Sequence, residues 1–189
     1  MNRTRYLARL ALLIALGVVL PVLAHVSGVP GPVFLPMHLP VLLAGFLLGP
    51  AAGLLVGVIA PLASFALTGM PPLTPPVLPV MVVELAVYGV VAGLVTLLLV
   101  HRVDLPSVAR LVLLLVGTMV AGRVAMGLEI WLLGPLLGWP FKPYPYVVGA
   151  ITTGLPGIIL QLVLVPPVVR AVLRVWRWPG NQRAEAGER

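Results

Sequence analysis

The sequence predicts an all-α membrane protein of six transmembrane helices, with both termini cytoplasmic and outer loops capping an outward-facing pocket. Three observations carry that expectation. First, the 189 residues are 60% apolar and only 9% charged, against about 45–50% and about 25% in soluble globular domains. An ordinary cytosolic protein is excluded, and a mean hydropathy of +1.13 excludes disorder, which needs low hydrophobicity and high charge. Second, apolar stretches of roughly 20 residues, enough to cross a bilayer at about 1.5 Å rise per residue, recur along the chain. Third, the charges gather at one set of stretch ends.

Residues 6–26 form the first span. Arg3, Arg5 and Arg9 precede it as in a secretory signal, but no small-x-small cleavage site follows at positions 22–25, so the helix reads as retained. Residues 33–68 carry no charge apart from His38 and are too long for one helix. Gly49-Pro50 near the middle reads as a turn, which divides the stretch into a short second helix, about 37–48, and a third, about 51–68. Residues 77–100, 107–133 and 146–169 supply the fourth, fifth and sixth. Residues 1–178 thus make a single six-helix domain. Residues 179–189 are polar, lack core-forming side chains and read as a mobile cytoplasmic tail.

Charge placement tests the count. With the N-terminus inside, Arg3, Arg5, Arg9, Arg102, Arg110, Arg170, Arg174, Arg177, Arg183 and Arg189 all fall on the inner side, and Lys142 falls outside. That is the bias the positive-inside rule requires; a five-helix reading would strand the arginines from Arg102 onward outside. The net charge of +7 is then an orientation signal with some attraction to anionic lipid, and nucleic acid is not an expected partner.

The outer loops are stiff and nearly uncharged. Loop one (27–36) contains Pro30, Pro32 and Pro36, loop three (69–76) reads GMPPLTPP, and loop five (134–145) reads GPLLGWPFKPYP. Proline lowers the entropy cost of an ordered loop. Two readings stand side by side: interfacial anchoring by Trp139, Phe141, Tyr144 and Tyr146, or an ordered lid over an outward-facing site. Small residues recur at four-residue spacing: Ala11 and Ala15 on the first helix, Gly49, Gly53 and Gly57 by the third, Gly89 and Gly93 on the fourth. Such spacing lets backbones approach closely in lipid. Most such pairs pack inside a bundle; the Ala11 pair, near the cytoplasmic end of the first helix, is also placed to meet an external partner.

Ionisable groups at membrane depth cost at least about 2.5–3.5 kcal/mol at the bilayer centre. This chain keeps Glu84, Arg123 and Glu129. Counted along the helices, Glu84 lies about 10 Å deep from the outer face, Arg123 about 15 Å and Glu129 about 6 Å. Thr152 and Thr153 fall at similar depth on the sixth helix, Tyr88 shares a face with Glu84, Met119, Arg123 and Met126 share one face, and His38 opens the second helix. The arrangement reads either as a Glu84–Arg123 ion pair locking two helices or as a pocket lined by Glu84, Tyr88, Arg123 and Thr152, and the two are compatible. No catalytic set is present: there is no HExxH, GxSxG or Walker A motif. The chain has no cysteine, and His25, His38 and His101 are too scattered for a metal triad. Neither enzymatic activity nor a metal or other cofactor is expected.

The run His38-Leu39-Pro40, Gly45, Gly49-Pro50, Gly53, Gly57, Pro61, Ser64 and Thr68-Gly69-Met70-Pro71-Pro72 resembles the substrate-binding S component of energy-coupling factor (ECF) vitamin transporters. So do Glu84-Leu85-Ala86-Val87-Tyr88-Gly89, Ala121-Gly122-Arg123, and residues 154–161 ahead of Pro166. The resemblance covers about residues 5–175. It implies a multi-pass protein of a prokaryotic plasma membrane that captures a vitamin from outside, under loops one, three and five. It also implies docking onto a membrane T component with two cytoplasmic ATPases, where the ATP is hydrolysed. Ala11 and Ala15 match the family's docking motif; the candidate substrate contacts, from the placement of the polar groups, are Glu84, Tyr88, Arg123, Thr152, Thr153, His38 and Lys142. The Glu84–Gly89 and Ala121–Arg123 motifs resemble the pantothenate and cobalamin branch. Arg123 and Lys142 suit a carboxylate, which guanidinium can pair bidentately, so pantothenate leads narrowly, with cobalamin or folate next. The rival from another class is a six-helix structural scaffold of the cell-shape type, which would need neither buried Glu84 and Arg123 nor rigid outer loops.

Overall fold

The computed structural model describes residues 3–28, 31–73, 76–99 and 107–176. The expected tail at 179–189, and Arg102, Arg177, Arg183, Arg189 and His101, lie outside the described residues. The elements are α1 (Arg3–Val26), α2 (Gly31–Phe34), α3 (His38–Leu48), α4 (Pro50–Thr68), α5 (Val77–Leu99), α6 (Val108–Leu137), α7 (Pro143–Thr153) and α8 (Leu155–Trp176), with no strand among the described residues. Six segments are long and apolar enough to cross a membrane: α1, α2 with α3 (Gly31–Leu48), α4, α5, α6 and α8. The expected all-helical, six-span architecture is therefore the one observed.

The ends of these helices follow local chemistry. Gly49 takes φ 97° and ψ 177° between α3 and α4, a backbone open only to glycine at low cost, and donates its N–H to the Gly45 carbonyl at 3.0 Å. Pro50 then opens α4 at the first helical position, where its missing N–H is harmless. One residue thus turns the chain through a tight helical corner. Gly69 closes α4 with φ 72°. Ser107 caps α6 by accepting the Arg110 N–H at 3.2 Å.

The sixth expected helix requires correction. The apolar stretch 146–169 is not one helix: α7 ends at Thr153, and α8 begins at Leu155 and continues to Trp176. Pro156 is the cause, because proline cannot donate to the carbonyl four residues back and its ring clashes with it. The spanning helix is α8, and Thr152 and Thr153 sit instead on the short α7. The fifth helix also runs further than expected, to Leu137. Its 30 residues extend about 45 Å, beyond a hydrocarbon core of about 30 Å.

Packing centres on α3, α4 and α5. Gly53 and Gly89 face each other so closely that a Cβ on either would enter the backbone of the other. A Cβ on Gly57 would stand 2.5 Å from the Leu85 carbonyl oxygen, and one on Gly45 2.5 Å from that of Gly89. The small-residue spacing of the third and fourth helices is therefore an internal seam, as close backbone approach in lipid requires. A main apolar core containing Val41, Leu42, Phe46, Val56, Leu85, Leu115 and Val165 joins α1, α3, α4, α5, α6 and α8. A smaller cluster of Val80, Met126 and Ile130, with Trp139, Tyr146, Val147 and Ala150 against it, seats α7 on α5 and α6. α1 is the least embedded span: among its described side chains only Leu10, Leu13 and Gly17 are buried, and Ala11 and Ala15 are exposed.

Candidate functional site

Residues of α1 to α7 line one cavity of about 910 Å³. Its wall includes Pro21, Val22 and His25 of α1, Gly31, Pro32 and residues 35–38, Ser64 and Thr68 of α4, Met70–Pro72, and Val77, Val80, Met81 and Glu84 of α5. Arg123 and Met126 of α6, residues 140–142, and Pro145, Tyr146, Gly149, Ala150 and Thr153 of α7 complete it. The volume falls within the range of small-molecule sites, which are mostly apolar with a few placed polar groups. Here the apolar wall is largely proline, valine and methionine.

The polar groups sit at the inner end. Arg123 Nη1 is 2.8 Å from Glu84 Oε1, and His38 Nε2 is 3.9 Å from the same oxygen. The three residues are 8%, 3% and 2% exposed, so the pair is buried. Its geometry depends on a glycine: a Cβ on Gly122 would press on the Tyr88 ring at 3.0 Å. Gly122 thus lets α6 approach α5 until the neighbouring Arg123 reaches Glu84. Tyr88, 1% exposed, stands edge-on to His38 with ring centroids 5.3 Å apart and holds the imidazole from behind. Met126 follows Arg123 on the same face, its sulfur 4.0 Å from Nη1.

Of the residues singled out in the sequence, His38, Glu84, Arg123, Lys142 and Thr153 line the cavity. Tyr88 does not; it forms the layer behind His38. Thr152 is exposed, off the wall, and its hydroxyl donates to the Val148 and Gly149 carbonyls of its own helix, both at 3.0 Å. The break after Thr153 accounts for this, because α7 turns at Gly154 instead of continuing into the bilayer. Glu129 is buried on α6 but off the cavity wall. The sequence reading assigned no part to Ser64, which lines the cavity, nor to His25, considered only as a metal ligand. The available signal for Ser64 was a hydroxyl inside an otherwise apolar stretch of α4, whose placement depends on the helix rotation. No group of three or more His, Cys, Asp or Glu able to hold a metal occurs among the described residues.

A search of curated proteins and a search of solved structures each return no match. The family model described as ECF transporter, substrate-specific component, matches residues 5–169, which contain all six candidate spans except the first two residues of α1 and the last turns of α8. That extent, laid over a bundle whose helices converge on one small-molecule cavity, places this multi-pass cell-membrane protein in the family of ECF transporter substrate-specific components, the membrane subunits that capture substrate for ECF importers.

Proposed function

We propose that the chain captures a small water-soluble vitamin from outside the cell and delivers it to a T component carrying two ATPases, where the ATP is hydrolysed. Pantothenate is the leading substrate, with cobalamin or folate next. The observation that carries this reading is the buried Glu84–Arg123 pair at the inner end of a 910 Å³ cavity. A charged pair held in the membrane needs a reason, and a ligand that hydrogen-bonds to it supplies one. His38, Lys142 and Thr153 join Glu84 and Arg123 as ligand contacts, Tyr88 positions His38, and Thr152 acts through the shape of α7. The proline-rich walls at 31–36 and 70–72 serve as an ordered rim.

Delivery uses α1. Its Ala8, Ala11 and Ala15 are exposed, and small side chains permit close helix approach in lipid. This face fits the T component. The termini lie on the cytoplasmic side, which the arginine bias at the opposite end from the cavity supports. The test is mass spectrometry of small molecules retained by the purified protein, followed by calorimetric titration of pantothenate. Arg123→Ala should weaken binding by about 2–5 kcal/mol, the usual cost of truncating one partner of a buried charge pair. No retained vitamin, and equal titrations for wild type and Arg123→Ala, would remove the proposal.

A further inference from the structure

Side chains from four helices bring unused hydrogen-bonding capacity to one cavity. His38 of α3, Ser64 of α4, Glu84 of α5 and Arg123 of α6 all line it. Ser64 is 1% exposed and its Oγ has no hydrogen-bond partner. The neighbouring Thr68 hydroxyl donates to the Ser64 carbonyl at 2.7 Å, which leaves Oγ untouched. Arg123 Nη2 and both ring nitrogens of His38 are likewise without a hydrogen-bond partner. Buried polar atoms are normally satisfied, and leaving one unpaired costs free energy. Several together on the wall of one cavity point to a ligand.

The charge balance defines that ligand. Glu84 and Arg123 neutralise each other across 2.8 Å, so the pair itself brings no net charge to this inner end. Other titratable groups on the wall are His25, Lys142 and Tyr146. His25 and Lys142 are exposed, marking the mouth, and Tyr146 is half-buried on α7. A carboxylate brought to Arg123 Nη2 would set two anions around one cation, and carboxylates sharing a site resist joint ionisation. An uncharged group that both donates and accepts adds no charge: an N–H suits the Glu84 carboxylate, and a carbonyl suits the Arg123 guanidinium and the Ser64 hydroxyl.

We propose that the inner end of the cavity is a subsite for an uncharged amide-type group, –NH–C(=O)–, with Ser64 as a specificity-determining residue, and that a ligand carboxylate stays at the mouth with Lys142. This rests on the reading of the cavity as the substrate pocket. For pantothenate it sets the amide and hydroxyl end inward and the carboxylate outward, so Arg123 does not grip the carboxylate as the sequence suggested.

The test uses two fragments of nearly equal shape, butanamide and butanoate. Their binding to the full chain in detergent is measured by saturation-transfer NMR for wild type, Ser64→Ala and Lys142→Met. Butanamide should bind wild type, weaken about tenfold in Ser64→Ala, the worth of one good hydrogen bond, and be unchanged in Lys142→Met. Butanoate should lose its signal in Lys142→Met and keep it in Ser64→Ala. The proposal is overturned if butanamide gives no signal, if Ser64→Ala leaves its affinity unaltered, or if butanoate binds the stronger and ignores Lys142→Met. Should Ser64→Ala fold poorly, Ser64→Cys, nearly isosteric and only a weak donor, gives the same reading. Vitamin retention by wild-type protein is read separately, so the capture function and this subsite fall independently.

Discussion

Removing one member of the Glu84–Arg123 pair should destabilise the bundle far more than removing both. The two groups are 2.8 Å apart and nearly sealed from solvent. Charge centres about 4 Å apart attract by about 4 kcal/mol at an effective dielectric near 20, and losing one partner of a buried pair costs about 3–5 kcal/mol because the other charge is left unpaired. That is roughly two to four orders of magnitude in the unfolding equilibrium. Glu84→Met should be the worse single change, since guanidinium cannot shed its charge whereas an orphaned carboxylate can take a proton. Glu84→Met with Arg123→Met should recover most of the loss, as apolar replacements of whole buried pairs often do. The assay is unfolding of each purified variant by denaturing detergent, read by circular dichroism and assembled as a double-mutant cycle. If the two single losses simply add in the double variant, to within about 0.5 kcal/mol, the residues do not act as a buried pair and the electrostatic account of the cavity collapses.

Further expectations follow from packing and placement. Gly89→Leu should abolish accumulation of folded protein, because its side chain would enter the Gly53 backbone; Gly117→Ala, with nothing near its Cβ position, should be tolerated, and both are read by membrane expression and gel filtration. Ala15→Trp should stop uptake in cells while calorimetric ligand binding persists, since Ala15 is exposed on α1 and remote from the cavity; loss of folding would place the alanine inside the bundle. Reporter fusions after Arg102 and at Arg189 should both give a cytoplasmic signal, and an external signal from either would break the assigned orientation. Ser107→Ala should cost about 1 kcal/mol of stability in the same detergent assay, the worth of a helix cap.

Hydropathy determined the membrane class, because the bilayer imposes length and polarity on any crossing segment, and the Gly49-Pro50 turn with the arginine bias brought the count of spans to six. Glycine and proline chemistry located the α3–α4 corner at Gly49-Pro50, where no other residue pair makes that turn as cheaply. The cost of buried charge nominated Glu84 and Arg123 as partners before any geometry was known. What required the tertiary structure was rotation and interruption. A hydropathy average over 146–169 runs straight through Gly154 and Pro156, so it hid the break that moves Thr152 and Thr153 onto α7; Pro156 was the available signal. The turn of each helix about its own axis decides which side chains share a space. That rotation is set by the glycine seam between α4 and α5 and by Gly122 against Tyr88, contacts between distant parts of the chain. It put Ser64 on the cavity wall and Tyr88 behind His38, and a linear sequence carries no direct record of either placement.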